Sequence, residues 1–214
     1  MKIAIVGSNG RMGRAICGKL KDKYEIIEID KGDSLNKCED ADLLIDFSTG
    51  KNSAETATWC LKNKKKLIIG ATGQSQNDIK KIMTASKGIP IVMAGNFSLG
   101  IARVKASLNK FIDDKLESVA IFEKHHKNKI DRPSGTAIEL KEKILELTNK
   151  DVEMFSLRGG DEIGTHEISF YYEGEVVKIT HQAFSRNVFV KGVEYAVEFL
   201  CGCEEVGLYE FNKL

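Results

Sequence analysis

Over residues 1–97, short apolar runs alternate strictly with amphipathic segments, and that rhythm leaves few folds open. Ile3–Val6 reads as a strand and Arg11–Leu20 as a helix carrying Met12, Ile16 and Leu20 on one stripe. Tyr24–Ile29 and Ala41–Phe47 read as strands, Ser53–Asn63 as a helix, Lys66–Gly70 as a strand, Gln76–Ser86 as a helix and Ile89–Met93 as a strand. Parallel neighbours need a crossover, usually helical, and strands buried on both faces read as near-continuous apolar runs. This half therefore predicts a parallel sheet covered by helices on both sides.

The second half changes character. A helix over Gly100–Ile112 precedes a strand at Leu116–Phe122 and a long helix at Ser134–Leu147. Glu167–Tyr172 and Val176–Ile179 flank the turn-like Glu173-Gly174, which predicts a hairpin and hence an α+β lobe with an antiparallel sheet. The last helix, Val190–Cys201, carries Val193, Val197 and Leu200 on one face. It is expected to return to the first lobe, giving a discontinuous lobe of 1–97 with 186–214 and a second lobe of 98–185.

Lys+Arg number 32 against 31 Asp+Glu, so no one-signed field exists to draw in nucleic acid or an anionic membrane. The apolar run after Met1-Lys2 is too short for a secretory signal, and no later run reaches spanning length, so a cytoplasmic protein is expected. Five scattered cysteines (17, 38, 60, 201 and 203) form no C-x-x-C pair. Reduced thiols are expected rather than disulfides or a metal site.

Gly7-Ser8-Asn9-Gly10-Arg11-Met12-Gly13 closes the first strand and opens the first helix. Glycines permit the tight turn and close approach of backbone to a pyrophosphate, and the helix start supplies unpaired N–H groups. The spacing is G-x-x-G-x-x-G, and its weight comes from Asp30, which ends the second strand where a carboxylate would accept ribose hydroxyls. Lys31 is placed to meet a 2′-phosphate or else simply to face solvent. Two further turns, Gly70-Ala71-Thr72-Gly73 and Ala94-Gly95-Asn96-Phe97-Ser98, follow later strands, at the ends where open α/β sheets bind ligands. Residue by residue, ordinary turn chemistry explains them equally well.

The segment from Glu123 to Ala137 concentrates proton-transfer and anion-binding groups. His125, His126 and Lys129 stand just upstream of Pro133, which keeps Arg132 extended and delays the helix. Ser134, Gly135 and Thr136 then form a helix start suited to a carboxylate. Adjacent histidines on an extended chain face opposite ways, which disfavours a metal site; a solvated basic loop is the plainer alternative.

His125-His126-x-x-Lys129-x-Asp131-x-Pro133-Ser134-Gly135-Thr136-Ala137 resembles the signature of the dihydrodipicolinate reductase family. The resemblance runs along the chain. It includes Gly10-Arg11-Met12-Gly13, Ile45-Asp46-Phe47-Ser48, Gly70-Ala71-Thr72-Gly73, Asn96-Phe97-Ser98, Arg158-Gly159, Gly164-x-His166, Ser185-Arg186 and Gly207-Leu208-Tyr209. It implies a Rossmann-like parallel-sheet lobe plus a smaller α+β lobe with a mixed, largely antiparallel sheet that builds a homotetramer. It also implies hydride transfer from NADH or NADPH to a small cyclic dicarboxylate in lysine and diaminopimelate synthesis. By similarity Gly7 to Met12, Asp30, Gly70 to Thr72 and Ala94 to Phe97 hold the cofactor, with Lys31 beside Asp30 as the candidate phosphate contact. His126, Lys129, Ser134, Gly135 and Thr136 bind substrate, with His125 the donor/acceptor histidine and Lys129 the proton donor.

The sequence departs from the family pattern at Arg132 and Ala71, where alanine and threonine are usual, at Thr49-Gly50, and in a short second lobe. Another dehydrogenase would share the glycine loop without needing the histidine segment, and a dinucleotide sensor would need an output module that the sequence does not suggest.

Overall fold

The computed structural model describes residues 1–214. In chain order the elements are β1 (Lys2–Val6), α1 (Arg11–Leu20), β2 (Glu25–Ile29), β3 (Leu43–Asp46), α2 (Gly50–Asn63), β4 (Lys66–Ile69), α3 (Gln76–Ala85), β5 (Pro90–Met93) and α4 (Leu99–Ser107). There follow β6 (Ser118–His125), α5 (Gly135–Leu145), β7 (Val152–Arg158), β8 (Gly164–Tyr172), β9 (Glu175–Ala183), α6 (Asn187–Gly202) and β10 (Gly207–Glu210). They fall into two compact units, Met1–Phe97 with Phe189–Leu214, and Ser98–Val188. No helix is long and apolar enough to cross a membrane.

The first unit holds a six-stranded, wholly parallel sheet in the order β10-β5-β4-β3-β1-β2. Leu44, Leu67, Ile69 and Ile91 are fully buried in it, each contributing about 1.5–3 kcal/mol relative to exposure. From β1 the chain moves to β2 on one side and then to β3 and beyond on the other. The C-terminal ends of β1 and β3 thus form the switch point at which such sheets open a crevice. Helix α6 buries Val193, Val197 and Leu200 in this unit.

The second unit has the order β7-β6-β8-β9, with β6–β7 parallel and the other pairs antiparallel. One face packs Val119, Ile121, Ile168 and Phe170 against Leu140 and Ile144 of α5.

Several elements differ from the sequence expectation. Strand β7 was not anticipated, because Phe155 and Leu157 sit on its exposed face and spoil the apolar–polar alternation. Strand β10, Gly-Leu-Tyr-Glu, lacks the continuous apolar run of the other short strands and is defined by its pairing with β5. Strand β6 runs on to His125 instead of ending at Phe122, since cross-strand pairing continues through polar residues. Helix α2 starts at Gly50 instead of Ser53 because the Thr49 hydroxyl caps it.

Candidate active site

The glycine turn is built around backbone. Gly7 has φ +83°, and a Cβ on Gly13 would lie 2.1 Å from the Gly7 carbonyl oxygen, so the start of α1 lies directly on the turn. Thr49, Ser75, Ser98 and Ser134 cap α2 to α5 with their hydroxyls, whereas α1 is capped by Gly10 with no side-chain bond. Its first-turn N–H groups therefore await a partner from outside the helix. Beside them lies a cleft of about 670 Å³ lined by Val6, Gly7, Gly10, Asp30, Lys31 and Ser48, among others. That volume and an uncapped helix start suit the nucleoside and phosphate of a dinucleotide.

Asp30 anchors the turn. Its carboxylate accepts the N–H groups of Asn9 and Lys31, each at 2.7 Å, and these bonds lower its pKa. Ser8 is buried with its hydroxyl turned toward the Ile29 carbonyl at 3.3 Å and Asp30 at 3.5 Å. Asn9 and Arg11 are exposed and Met12 is half-buried.

The other two turns also close strands of this sheet. A Cβ on Gly70 would strike the Phe47 ring at 2.1 Å, and Ala71 donates its N–H to the Asp46 carbonyl at 3.1 Å. Thr72 and Gly95 are exposed, while Ala94 and Asn96 are half-buried. The Phe97 ring is 2% exposed and packs between Phe47 and Phe211, which leaves its backbone as the part able to meet a ligand.

In the second unit Glu123, His125, Arg158, His166 and His181 share the sheet face that packs on α5. The register pairs Glu123 with Ser156 and His166, His166 with His181, and His125 with Arg158. Glu123 is enclosed, its side chain 0% exposed, and Arg158 grips both carboxylate oxygens at 2.8 and 2.7 Å. The same carboxylate contacts His125 Nδ1 and accepts the Ser134 N–H at 3.3 Å. Burial opposes its ionisation, but the Arg158, Ser156 and His125 bonds prevail and hold its pKa near about 2.

His125 and His166 meet edge to face at 5.2 Å. Burial depresses the His125 pKa more than Glu123 raises it, and the charges of Lys129 and Arg158 push it the same way. Burial, and then the charge of His125, push His166 down to about 3. His166 Nε2 is 3.1 Å from the Ser134 hydroxyl, and His181 Nε2 is 3.0 Å from that of Ser98. The Nδ1 atoms of both histidines are buried without a partner.

Lys129 lies on the loop after β6, its Nζ 2.8 Å from Asp131. Burial would raise the Asp131 pKa, yet Lys129 together with backbone N–H groups, that of Gly135 among them, lowers it. Lys129 and the start of α5 thus already hold one carboxylate between them. The Ser134 hydroxyl accepts the Ala137 N–H at 3.3 Å, so this residue is engaged on three sides. Thr136 is buried, Gly135 and His126 are half-buried, and Arg132 is exposed.

Sequence reasoning gave no role to Glu123, Arg158 or His166. The i, i+2 spacing of Glu123 and His125 would have placed both on one face had β6 been extended far enough. The pairing of Arg158 and His166 with them is set by strand register, which has no local signal.

Residues 22–97 match the family model described as "Dihydrodipicolinate reductase, N-terminus", and residues 101–214 match "Dihydrodipicolinate reductase, C-terminus". The chain is 35% identical to the 4-hydroxy-tetrahydrodipicolinate reductase of Campylobacter lari, across 99% of this chain and 98% of that protein. It is 33% identical to the reductase of the same name from Thermosipho africanus, across 100% and 97%. Among solved structures, dipicolinate-bound dihydrodipicolinate reductase from Paenisporosarcina sp. TG-14 superposes with a TM-score of 0.78 at 21% identity, covering 100% of this chain and 99% of that one.

Proposed function

The chain belongs to the dihydrodipicolinate reductase family, and from that premise we propose how its residues divide the work of reducing a cyclic dicarboxylate. The enzyme converts 4-hydroxy-tetrahydrodipicolinate, by way of dihydrodipicolinate, to tetrahydrodipicolinate, a step of lysine and diaminopimelate synthesis. The nicotinamide cofactor, NADH or NADPH, supplies the hydride that C4 of the ring accepts.

The observation that carries this reading is that Lys129 and the start of α5 already hold a carboxylate, that of Asp131, within the segment that also bears His125. A substrate carboxylate takes up the same donors, Lys129 Nζ with the Gly135 and Thr136 backbone, and Ser134 fixes the helix start that presents them. His126, half-buried beyond the end of β6, is read as a further contact to the substrate. Anchoring the ring in this way orients C4 for reduction. Hydride addition leaves charge on the conjugated system. Lys129 Nζ delivers the one proton the product takes up, and His125 Nε2, the donor/acceptor, accepts a proton from solvent and returns it to restore the lysine.

In the first unit, Gly7 to Met12 with Asp30 and Lys31 receive the adenosine end of the cofactor. Gly70, Ala71, Thr72 and Ala94 to Phe97 flank its nicotinamide end. Self-association is supported by the uncovered face of the second sheet, where Phe155 is 45% and Leu157 55% exposed and Phe122 stacks on Phe155 at 4.9 Å, and the family resemblance makes it a homotetramer. Sedimentation checks this, and a clean monomer removes the oligomer. The reading extends to a cytoplasmic location.

The deciding experiment generates the substrate with dihydrodipicolinate synthase and follows loss of the reduced-nicotinamide absorbance. Synthase-dependent oxidation supports the reading. Tight cofactor binding without oxidation points to a sensor or to another substrate.

A further inference from the structure

Glu123 and Arg158 take no part in the reaction as described above, yet their side chains are 0% and 1% exposed. Desolvating an ion pair costs several kcal/mol per ion unless geometry and further hydrogen bonds offset it, so a pair this enclosed invites a reason. Besides bonds to Ser156 and the Leu157 carbonyl, the pair reaches the segment assigned to chemistry. Glu123 reaches His125 Nδ1 and the Ser134 N–H. Arg158 donates from Nε to the Lys129 carbonyl at 3.3 Å and from its terminal nitrogen to the Asp131 carbonyl at 2.5 Å.

We propose that Glu123, clamped by Arg158, is the positioning carboxylate of this active site: it fixes His125 as the Nδ1–H tautomer with Nε2 presented for proton exchange, while Arg158 holds the backbone that carries Lys129. The proposal rests on the assignment of His125 and Lys129 made above. An ionised carboxylate only accepts, so the proton between Glu123 and His125 belongs to Nδ1 and the lone pair to Nε2. Arg158 helps keep Glu123 ionised, and burial, with the charges of Lys129 and Arg158, keeps the ring from the imidazolium form. On its far side the ring lies over Gly164, where a Cβ would stand 3.0 Å from Nε2, so β8 leaves that nitrogen room. The guanidinium fork suits the task. It meets both oxygens of one carboxylate and still reaches two loop carbonyls, which a lysine point charge cannot do.

The test is Glu123→Gln in the full-length enzyme, with three readouts: thermal unfolding, the split between kcat and KM, and the ¹⁵N resonances of the imidazoles. The chain has four histidines (His125, His126, His166 and His181), so assignment by single substitutions is practical. The wild type is expected to show His125 as one Nδ1–H tautomer. The folded variant should lose that signature and about a hundredfold in kcat, in line with loss of an oriented acid–base group. KM for both substrates should stay within about threefold, as the orientation lost matters in the transition state. A folded variant with near-wild-type kcat, or with His125 still wholly Nδ1–H, overturns the proposal.

Should Glu123→Gln fail to fold, Arg158→Lys decides by the same readouts, because it retains the charge and loses the fork. A misplacement near 1 Å costs up to about a hundredfold, so a kcat loss of about tenfold or more is expected and an unchanged kcat overturns the idea. The tautomer measurement needs no substrate. Wild-type enzyme inactive on synthase-generated substrate would therefore sink the reductase reading, and the ¹⁵N spectrum would still decide Glu123's hold on His125.

Discussion

Where the first unit meets its ligand it offers backbone. Gly7, Gly10 and Gly13 clear a path to an uncapped helix start, and the supporting carboxylate, Asp30, is only partly covered. Where the second unit meets its ligand it offers side chains held in a buried ionic row, Glu123 with Arg158, flanked by His125 and His166. A backbone site tolerates varied side chains and fails when a Cβ intrudes. A side-chain site fails when one charge loses its partner.

The largest effects should come from the second unit. His125→Gln or Lys129→Ala is expected to lower kcat by about 10²–10⁴, the usual worth of a general acid–base group, with NADH affinity nearly unchanged. Steady-state kinetics beside a cofactor titration checks this. Unchanged turnover removes these residues from the mechanism and with them the division of labour between the units.

Next in size is the converse substitution. Gly13→Ala puts a methyl group 2.1 Å from the Gly7 carbonyl oxygen and 2.7 Å from Ser8 Cα, so the turn and α1 must separate. Overpacking of this kind costs about 1–3 kcal/mol. Cofactor affinity should fall by about tenfold or more, since roughly 1.4 kcal/mol is a factor of ten. Hydrogen exchange of β6 to β9 should not change. Cofactor binding at wild-type strength would show that the glycine turn is not the cofactor's seat.

The same contrast explains what could be read in the sequence. Glycine spacing, an acidic strand end and the alternation of strands and helices are local, so the parallel sheet and α1, with residue bounds of 11 and 20, were legible. Helix α6 was legible from its apolar face. The histidine segment was legible as a motif, but its support was not. Arg158 lies 35 residues from Glu123, and His166 lies 32 from Ser134. Those contacts exist because β7 and β8 pair with β6 in one register, and β7 itself was hidden by the outward-facing Phe155 and Leu157.

Acid should separate the units. His166 has its pKa lowered from 6.5 to about 3, and Glu123 from 4.5 to about 2. In both cases the unfolded state binds the proton more readily, so stability falls as pH drops from about 6.5 toward 3 for His166 and from about 4.5 toward 2 for Glu123. His125 and His181, also depressed by burial, act in the same direction. In the first unit, buried Asp46 has a raised pKa, so its folded form takes up the proton and gains stability on acidification. Asp30 and Asp33 have lowered values but sit near the surface, where screening limits their weight. Hydrogen exchange at mildly acidic pH should therefore show β6, β8 and β9 opening before β1, β3 and β4. The reverse order would contradict the assignment of buried, neutral histidines to the second unit.

The smallest expected effect tests whether the first unit reads its ligand with a cationic side chain as well as with Asp30. Lys31 lines the cleft, is exposed, and donates its backbone N–H to Asp30, so its ammonium is free to swing toward a 2′-phosphate or away into solvent. Exposed charge pairs are worth about 0.2–1 kcal/mol, and Lys31→Glu reverses the charge instead of deleting it, so NADPH should weaken by about two- to tenfold. NADH, with no 2′-phosphate, should change much less. A ratio of the two dissociation constants that shifts with the substitution, and shrinks as salt is added, would add Lys31 to Asp30 as a charged contact on a site built mainly of backbone. An equal effect on both cofactors would take Lys31 out of recognition and leave the first unit reading its ligand through glycines, a helix start and Asp30.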